Sequence, residues 1–204
     1  RVARDLVAVK RKDPAQGFAL EGVLETIRHD QEAAMVAFGK AIQISGNGGN
    51  PLISYNYALS LMAIGLLDSA LDHLRIASSY KPLAMDAITL MARLGAVLEA
   101  EDNFSSQATS NQTTDFTFAS TATFMRSSGI SDKDLISVLS AATKMAWDDG
   151  FLVCGADDFV AKDGLLRKLV IPTKTPGNLL TKWERTIDKK LLDENRPLLE
   201  AQVA

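Results

Sequence analysis

The 204 residues suffice for one large domain or two small ones, and a composition 47% hydrophobic and 23% charged excludes general disorder or a fibre. A formal net charge of −3 leaves no overall basic field, so nonspecific nucleic-acid binding is not the expected default function. The single cysteine, Cys154, excludes an internal disulfide and a cysteine-based zinc cluster, and it suits a reducing, cytoplasmic setting. No apolar run approaches the roughly 18 residues of a membrane span. The chain opens Arg1-Val2-Ala3-Arg4 without an initiator methionine or a signal-like apolar segment, and reads as a piece of something longer.

In chain order, residues 2–9 read as a helix closed by Asp13-Pro14. Residues 17–44 and 54–82 each read as two short antiparallel helices. In the second stretch Tyr57, Leu61 and Ile64, then Leu67, Leu71 and Leu74, recur at spacings of three and four. Gly65 and Asp68 interrupt that run, Asp68 is suited to cap the second helix, and Lys81-Pro82 ends it. The two stretches share one offset. Gly22 matches Ala58, Ala34 matches Ala70, Phe38 matches Leu74 and Ala41 matches Ala77, each pair 36 positions apart. That is an internal repeat.

The repeat resembles the tetratricopeptide family, a helix-turn-helix unit with a period near 34 residues. The second unit carries the family's pattern in Tyr55-Asn56, Ala58, Gly65, Ala70-Leu71, Leu74, Ala77 and Pro82. The first carries Gly22, Ala34, Phe38 and Ala41-Ile42, and departs with His29 at the turn glycine and Gly46 in place of the closing proline. Small residues at a helix crossing let the two axes approach, and each unit buries its remaining apolar face on the next.

A third unit begins at residues 84–100, a helix by propensity, with Ala92 standing 34 positions after Ala58. Residues 101–114, rich in Ser, Asn, Gln and Thr, read as a loop, with residues 103–114 the most labile internal segment and a displaced partner helix at 115–126. Gly129 and Ser131 mark a domain boundary. The expected fold is therefore mostly α: residues 1–128 a short tetratricopeptide-like hairpin array, and residues 129–204 a small α/β (α-β-β-α) module. That module comprises a helix from a capping-box-like start at Ser131 to about Trp147, strands at 150–155 and 165–171, and a helix at 181–192. Pro197 opens a last short helix.

No catalytic constellation emerges. His29 and His73 lack Cys partners and HExxH spacing, and no metal site is expected. Asp148, Asp149, Asp157, Asp158 and Asp163 do not follow calcium-loop spacing and read as solvated loops. The glycine-rich 46–50 connection lacks the Lys-Ser or Lys-Thr of a phosphate loop, so no cofactor is expected. Cys154 reads as an inert core thiol. Residues 162–190 carry eight Lys and Arg against three acids, including Lys182, Arg185 and Lys189 beside Trp183, which reads first as a solvated helix face.

The resemblance implies that first helices line a concave groove where ligands lie. Its positions fall on Gln16, Ala19, Val23, Thr26 and Ile27 of the first unit. They fall on Leu52, Tyr55, Asn56, Leu59, Met62 and Ala63 of the second, and on Asp86, Thr89 and Arg93 of the third. A family subset clamps a chaperone's terminal carboxylate. Only Asn56 matches that clamp, since Ala19, Val23, Asp86 and Leu90 replace the required Lys, Asn, Lys and Arg. An apolar groove suits an amphipathic helix, an extended peptide, or a helix of the same chain. The leading expectation is a non-enzymatic interaction protein, an adaptor or scaffold for a protein or peptide partner. The alternative is a repeat scaffold or regulatory domain attached to a C-terminal enzymatic or nucleic-acid-binding module.

Overall fold

The structure, a computed structural model, describes residues 2–46, 50–107, 118–153, 155–161, 164–170, 182, 185 and 199–203. It is mostly α. The helices are α1 (Val2–Lys12), α2 (Pro14–Ile27), α3 (Gln31–Ser45), α4 (Pro51–Ile64), α5 (Leu67–Ser78), α6 (Ala84–Arg93), α7 (Val97–Gln107), α8 (Ala119–Ser128) and α9 (Asp132–Asp148). Three strands follow, β1 (Gly155–Ala161), β2 (Gly164–Val170) and β3 (Leu199–Val203). Packing divides the chain into two compact units, Arg1–Ala87 and Ile88–Ala204. The boundary expected at 128/129 falls inside the second unit, where α7 packs on both α8 and α9.

In the first unit the helix starts are fixed by short polar side chains. The Gln16 N–H donates to Asp13 Oδ1 (3.0 Å), the Ala33 N–H to Asp30 Oδ1 (2.9 Å) and the Leu52 N–H to Asn50 Oδ1 (3.0 Å). Pro14 and Pro51 occupy first helical positions, where the missing N–H costs nothing. Asp68 does not cap α5 as expected: the cap residue is Leu66, without a side-chain bond, and Asp68 lies exposed in the first turn. There its charge still favours the helix dipole.

Helix α2 packs on α1, α3 and α4, and α4 packs on α3 and α5. Buried Ala19, Phe38, Ala41 and Ile53 form a core, with Phe18, Val23, Ile42 and Tyr57 against it. Gly22 is required by this packing, because a Cβ there would lie 2.4 Å from Phe38 Cδ2. The equivalent positions of the second hairpin, Ala58 and Leu74, are both fully buried. A larger small residue is matched by a smaller bulky one. At the other crossing a Cβ on Gly17 would lie 2.6 Å from Lys10 Cα, so α1 runs close over α2. The Lys10 ammonium then reaches Glu21 (2.7 Å) and the Phe18 ring face (4.2 Å).

Helices α2, α4, α6, α8 and α9 close in the same way. His29, Gly65, Gly95, Gly129 and Gly150 adopt positive φ, and the next residue's N–H bonds back to the carbonyl five residues earlier, at 2.8–3.0 Å. This turn corrects the third unit. Residues 84–100 are not one helix: Gly95, at φ +102°, breaks them, and Ala96 N–H reaches Met91 O at 3.0 Å. The expected loop at 101–114 is also corrected, since residues 101–107 belong to α7; residues 108–114 lie outside the described residues.

In the second unit α7 starts on a cap from a distant element. The Leu98 and Glu99 N–H groups donate to Asp132 Oδ1 (2.9 Å) and Oδ2 (3.0 Å), from the first turn of α9. Arg126 of α8 pairs with Glu101 and, at 3.5 Å, with Asp102. Ser131 and Asp134 form the capping box of α9. The strand expected at 150–155 is displaced. Gly150 closes α9, Phe151 N–H bonds to Ala146 O (2.8 Å), and β1 begins only at Gly155. Strand β2 lies one residue before the expected 165–171. The sheet order is β1-β2-β3, antiparallel then parallel. Of the helix expected at 181–192 only Lys182 and Arg185 are described, and Pro197 lies outside the described residues.

Candidate functional site: the α2–α4 face

The expected groove positions separate into surface and core. On α2, Ile27 is 58% exposed and Gln16 and Val23 are half-buried, while Ala19 is fully buried in the core. Thr26 is also buried, its Oγ1 donating to Gly22 O at 2.9 Å. On α4, Leu52 is 44% exposed; Tyr55, Asn56 and Leu59 are half-buried; Met62 and Ala63 are buried. Ala19, Thr26, Met62 and Ala63 therefore offer no surface to a partner, because their helix face turns toward the packed neighbour. Thr89 (half-buried) and Arg93 (exposed) belong to the second unit, as does Leu90, while Asp86 is exposed in the first.

The sequence reading omits one exposed position: Leu20, 37% exposed, stands one turn after Gln16 on the same face of α2. With it, Leu20, Val23 and Ile27 stand at i, i+3 and i+7 on α2, as do Leu52, Tyr55 and Leu59 on α4. The two helices pack side by side. Helix α4 carries no charged residue, and the two acids of α2 are engaged elsewhere: Glu21 by Lys10, Glu25 by Arg28 (2.7 Å). Uncharged apolar patterns on adjacent helices can hold an apolar ligand but supply no acid, base or nucleophile.

Two of the acidic candidates have ion-pair partners. Asp148 pairs with Lys144, and Asp149 with Lys182 at 3.2 Å. The strand register sets Asp157 opposite Lys168 and Asp158 opposite Arg167. Among the described residues no group of three His, Cys, Asp or Glu is placed to hold a metal ion. Cys154 and residues 47–49 of the glycine-rich connection, with Asp163, Trp183 and Lys189, lie outside the described residues. Among the described residues no helix is long and apolar enough to cross a membrane.

Among the described residues three groups titrate away from their ordinary values. Burial raises the Tyr57 phenol. Burial lowers His73, against the opposing pull of the Asp72 charge. Burial also raises Asp132, with Glu99 adding to it, and outweighs the backbone N–H bonds that favour its carboxylate. None stands on the α2–α4 face. Compared with known proteins, the chain matches no family model, and no curated protein or solved structure is significantly similar to it.

Proposed function

We propose that the chain is a protein–protein interaction module, an adaptor or scaffold whose α2–α4 face takes an apolar peptide or a partner helix. The observation that carries this reading is the repeated i, i+3, i+7 apolar pattern on two packed helices, with Leu20, Ile27 and Leu52 left in solvent. Single exposed apolar residues are ordinary, but their alignment on neighbouring helices makes a patch worth covering. The hairpins are read as a tetratricopeptide-type array, because α2 and α3, the two helices of the first hairpin, both pack on α4, the first helix of the second. Residues 129–204 are read as a small α/β module beside it, and the setting as cytoplasmic.

The test is to select peptides by display against the parent chain and titrate the best binder against Tyr55→Ala plus Leu59→Ala. Truncating two anchors on one face should weaken binding by about thirtyfold or more, the equivalent of about 2 kcal/mol. Unchanged affinity in a folded double variant would remove the α2–α4 face as the binding site.

A further inference from the structure

Three aromatic rings from three consecutive helices of the first unit form a column. Phe38 of α3 stacks on Tyr57 of α4 with centroids 4.5 Å apart and planes at 18°. Tyr57 meets His73 of α5 at 4.6 Å and 49°. The imidazole is thus the ring through which α5 joins the column. Its Nδ1 is buried and has no hydrogen-bond partner among the described residues.

Protonation would make both ring nitrogens donors and add a full charge. The surroundings provide little to receive them. Helix α4 contributes Tyr57 and carries no charged residue at all. From α3, Phe38 stands behind Tyr57, and the charged Glu32 and Lys40 are exposed. On α5 itself Asp68 is exposed, and the Asp72 carboxylate is 71% exposed and held by Arg75 at 2.6 Å. A solvated, already paired carboxylate offsets little of the cost of charging a half-buried ring. The Tyr57 face offers a cation–π attraction, but through a tilted contact. We propose that His73 is an acid-sensitive latch, holding α5 on the Phe38–Tyr57 stack while neutral and loosening it when protonated.

The sign follows from linkage. Burial sets the folded-state value below the ordinary 6.5, so the stabilisation is full above that value and is lost as pH falls through the lower, folded one. The chain has one other histidine, His29, exposed in the α2–α3 turn, which serves as the internal control.

The experiment follows thermal unfolding of the whole chain from about pH 7.5 to about pH 5.5, where histidines dominate the titration. The parent Tm should fall by about 2–4 °C over that range. The fall should largely vanish in His73→Phe and His73→Gln and persist in His29→Asn. In parallel, NMR titration of the parent should give a His73 midpoint below the ordinary value. The proposal is overturned if His73→Phe keeps the parent's pH slope, or if His73 titrates at or above 6.5. The titration decides the matter alone if neither His73 variant folds.

Discussion

The second and third hairpins make the same turn from helices of different length. In the second, α4 has 14 residues and ends at Gly65; in the third, α6 has 10 and ends at Gly95. Aligned on the turn, Leu61, Ile64, Leu67 and Ala70 match Met91, Leu94, Val97 and Ala100, all buried and all 30 positions apart rather than 34. The alanine at the crossing of the second hairpin, Ala58, then corresponds to Ile88. Turn chemistry persists where helix length does not. A single fixed period follows the repeat only while both helices keep their length.

The comparison can be broken first in the two cores. Phe38 is fully buried, so Phe38→Ala should cost about 3–5 kcal/mol by removing both transfer energy and packing. Phe104 holds the position of Leu74 in the turn alignment but is only half-buried, and Phe104→Ala should cost clearly less. Equal losses in denaturant unfolding would mean that the third hairpin is built like the first.

The turns give the next contrast. Gly95 is at φ +102°, and a Cβ there would also lie 3.0 Å from Ile136 N, against α9. Gly95→Ala should therefore destabilise by about 1–3 kcal/mol. His29 already bears a side chain at φ 60°, in an exposed turn. His29→Gly should change stability by about 1 kcal/mol or less, since strain relief is offset by a freer unfolded chain. A Gly95→Ala variant as stable as the parent would contradict the turn assignment.

The smallest expected effect concerns how α7 begins. Asp132→Ala leaves the Leu98 and Glu99 N–H groups without their acceptor and should cost about 0.5–2 kcal/mol. Amide exchange should accelerate in α7 and leave α4 and α5 unchanged. Uniform acceleration through the chain would assign Asp132 a different role.

Much of the first unit was legible in the sequence, because Gly22, Ala58, Ala34 and Ala70 report helix crossings through side-chain size alone. The third hairpin was not. One glycine inside a helical pattern costs only about 1 kcal/mol, so residues 84–100 read as continuous. Residues 101–107 read as a loop because what holds that helix comes from elsewhere: the Asp132 cap and the Arg126 pairing lie 25–34 residues away in sequence. The recurrence of Gly65 at Gly95 and Ala70 at Ala100 was the available signal. The fourth turn, Gly129, stands 64 positions after Gly65, as Ala122 does after Ala58, in a stretch whose Gly129-Ile130-Ser131 sequence reads as a domain boundary. At the site, the offset equated Ala19 with Tyr55. A methyl group sinks into the core where a phenol ring keeps part of its surface out, so equivalent positions do not carry equivalent exposure.

The central claim is that a partner is held by apolar anchors on α2 and α4 and not by the basic cluster of the second unit. The most direct measurement titrates a selected peptide, at low and high salt, into the parent, into Tyr55→Ala plus Leu59→Ala, and into Lys182→Ala plus Arg185→Ala. The account predicts weak salt dependence, loss of binding in the first variant and parent-like affinity in the second. Steep weakening with salt, with normal binding by the folded Tyr55/Leu59 variant and loss in the Lys182/Arg185 variant, would contradict it and make the C-terminal segment the functional half.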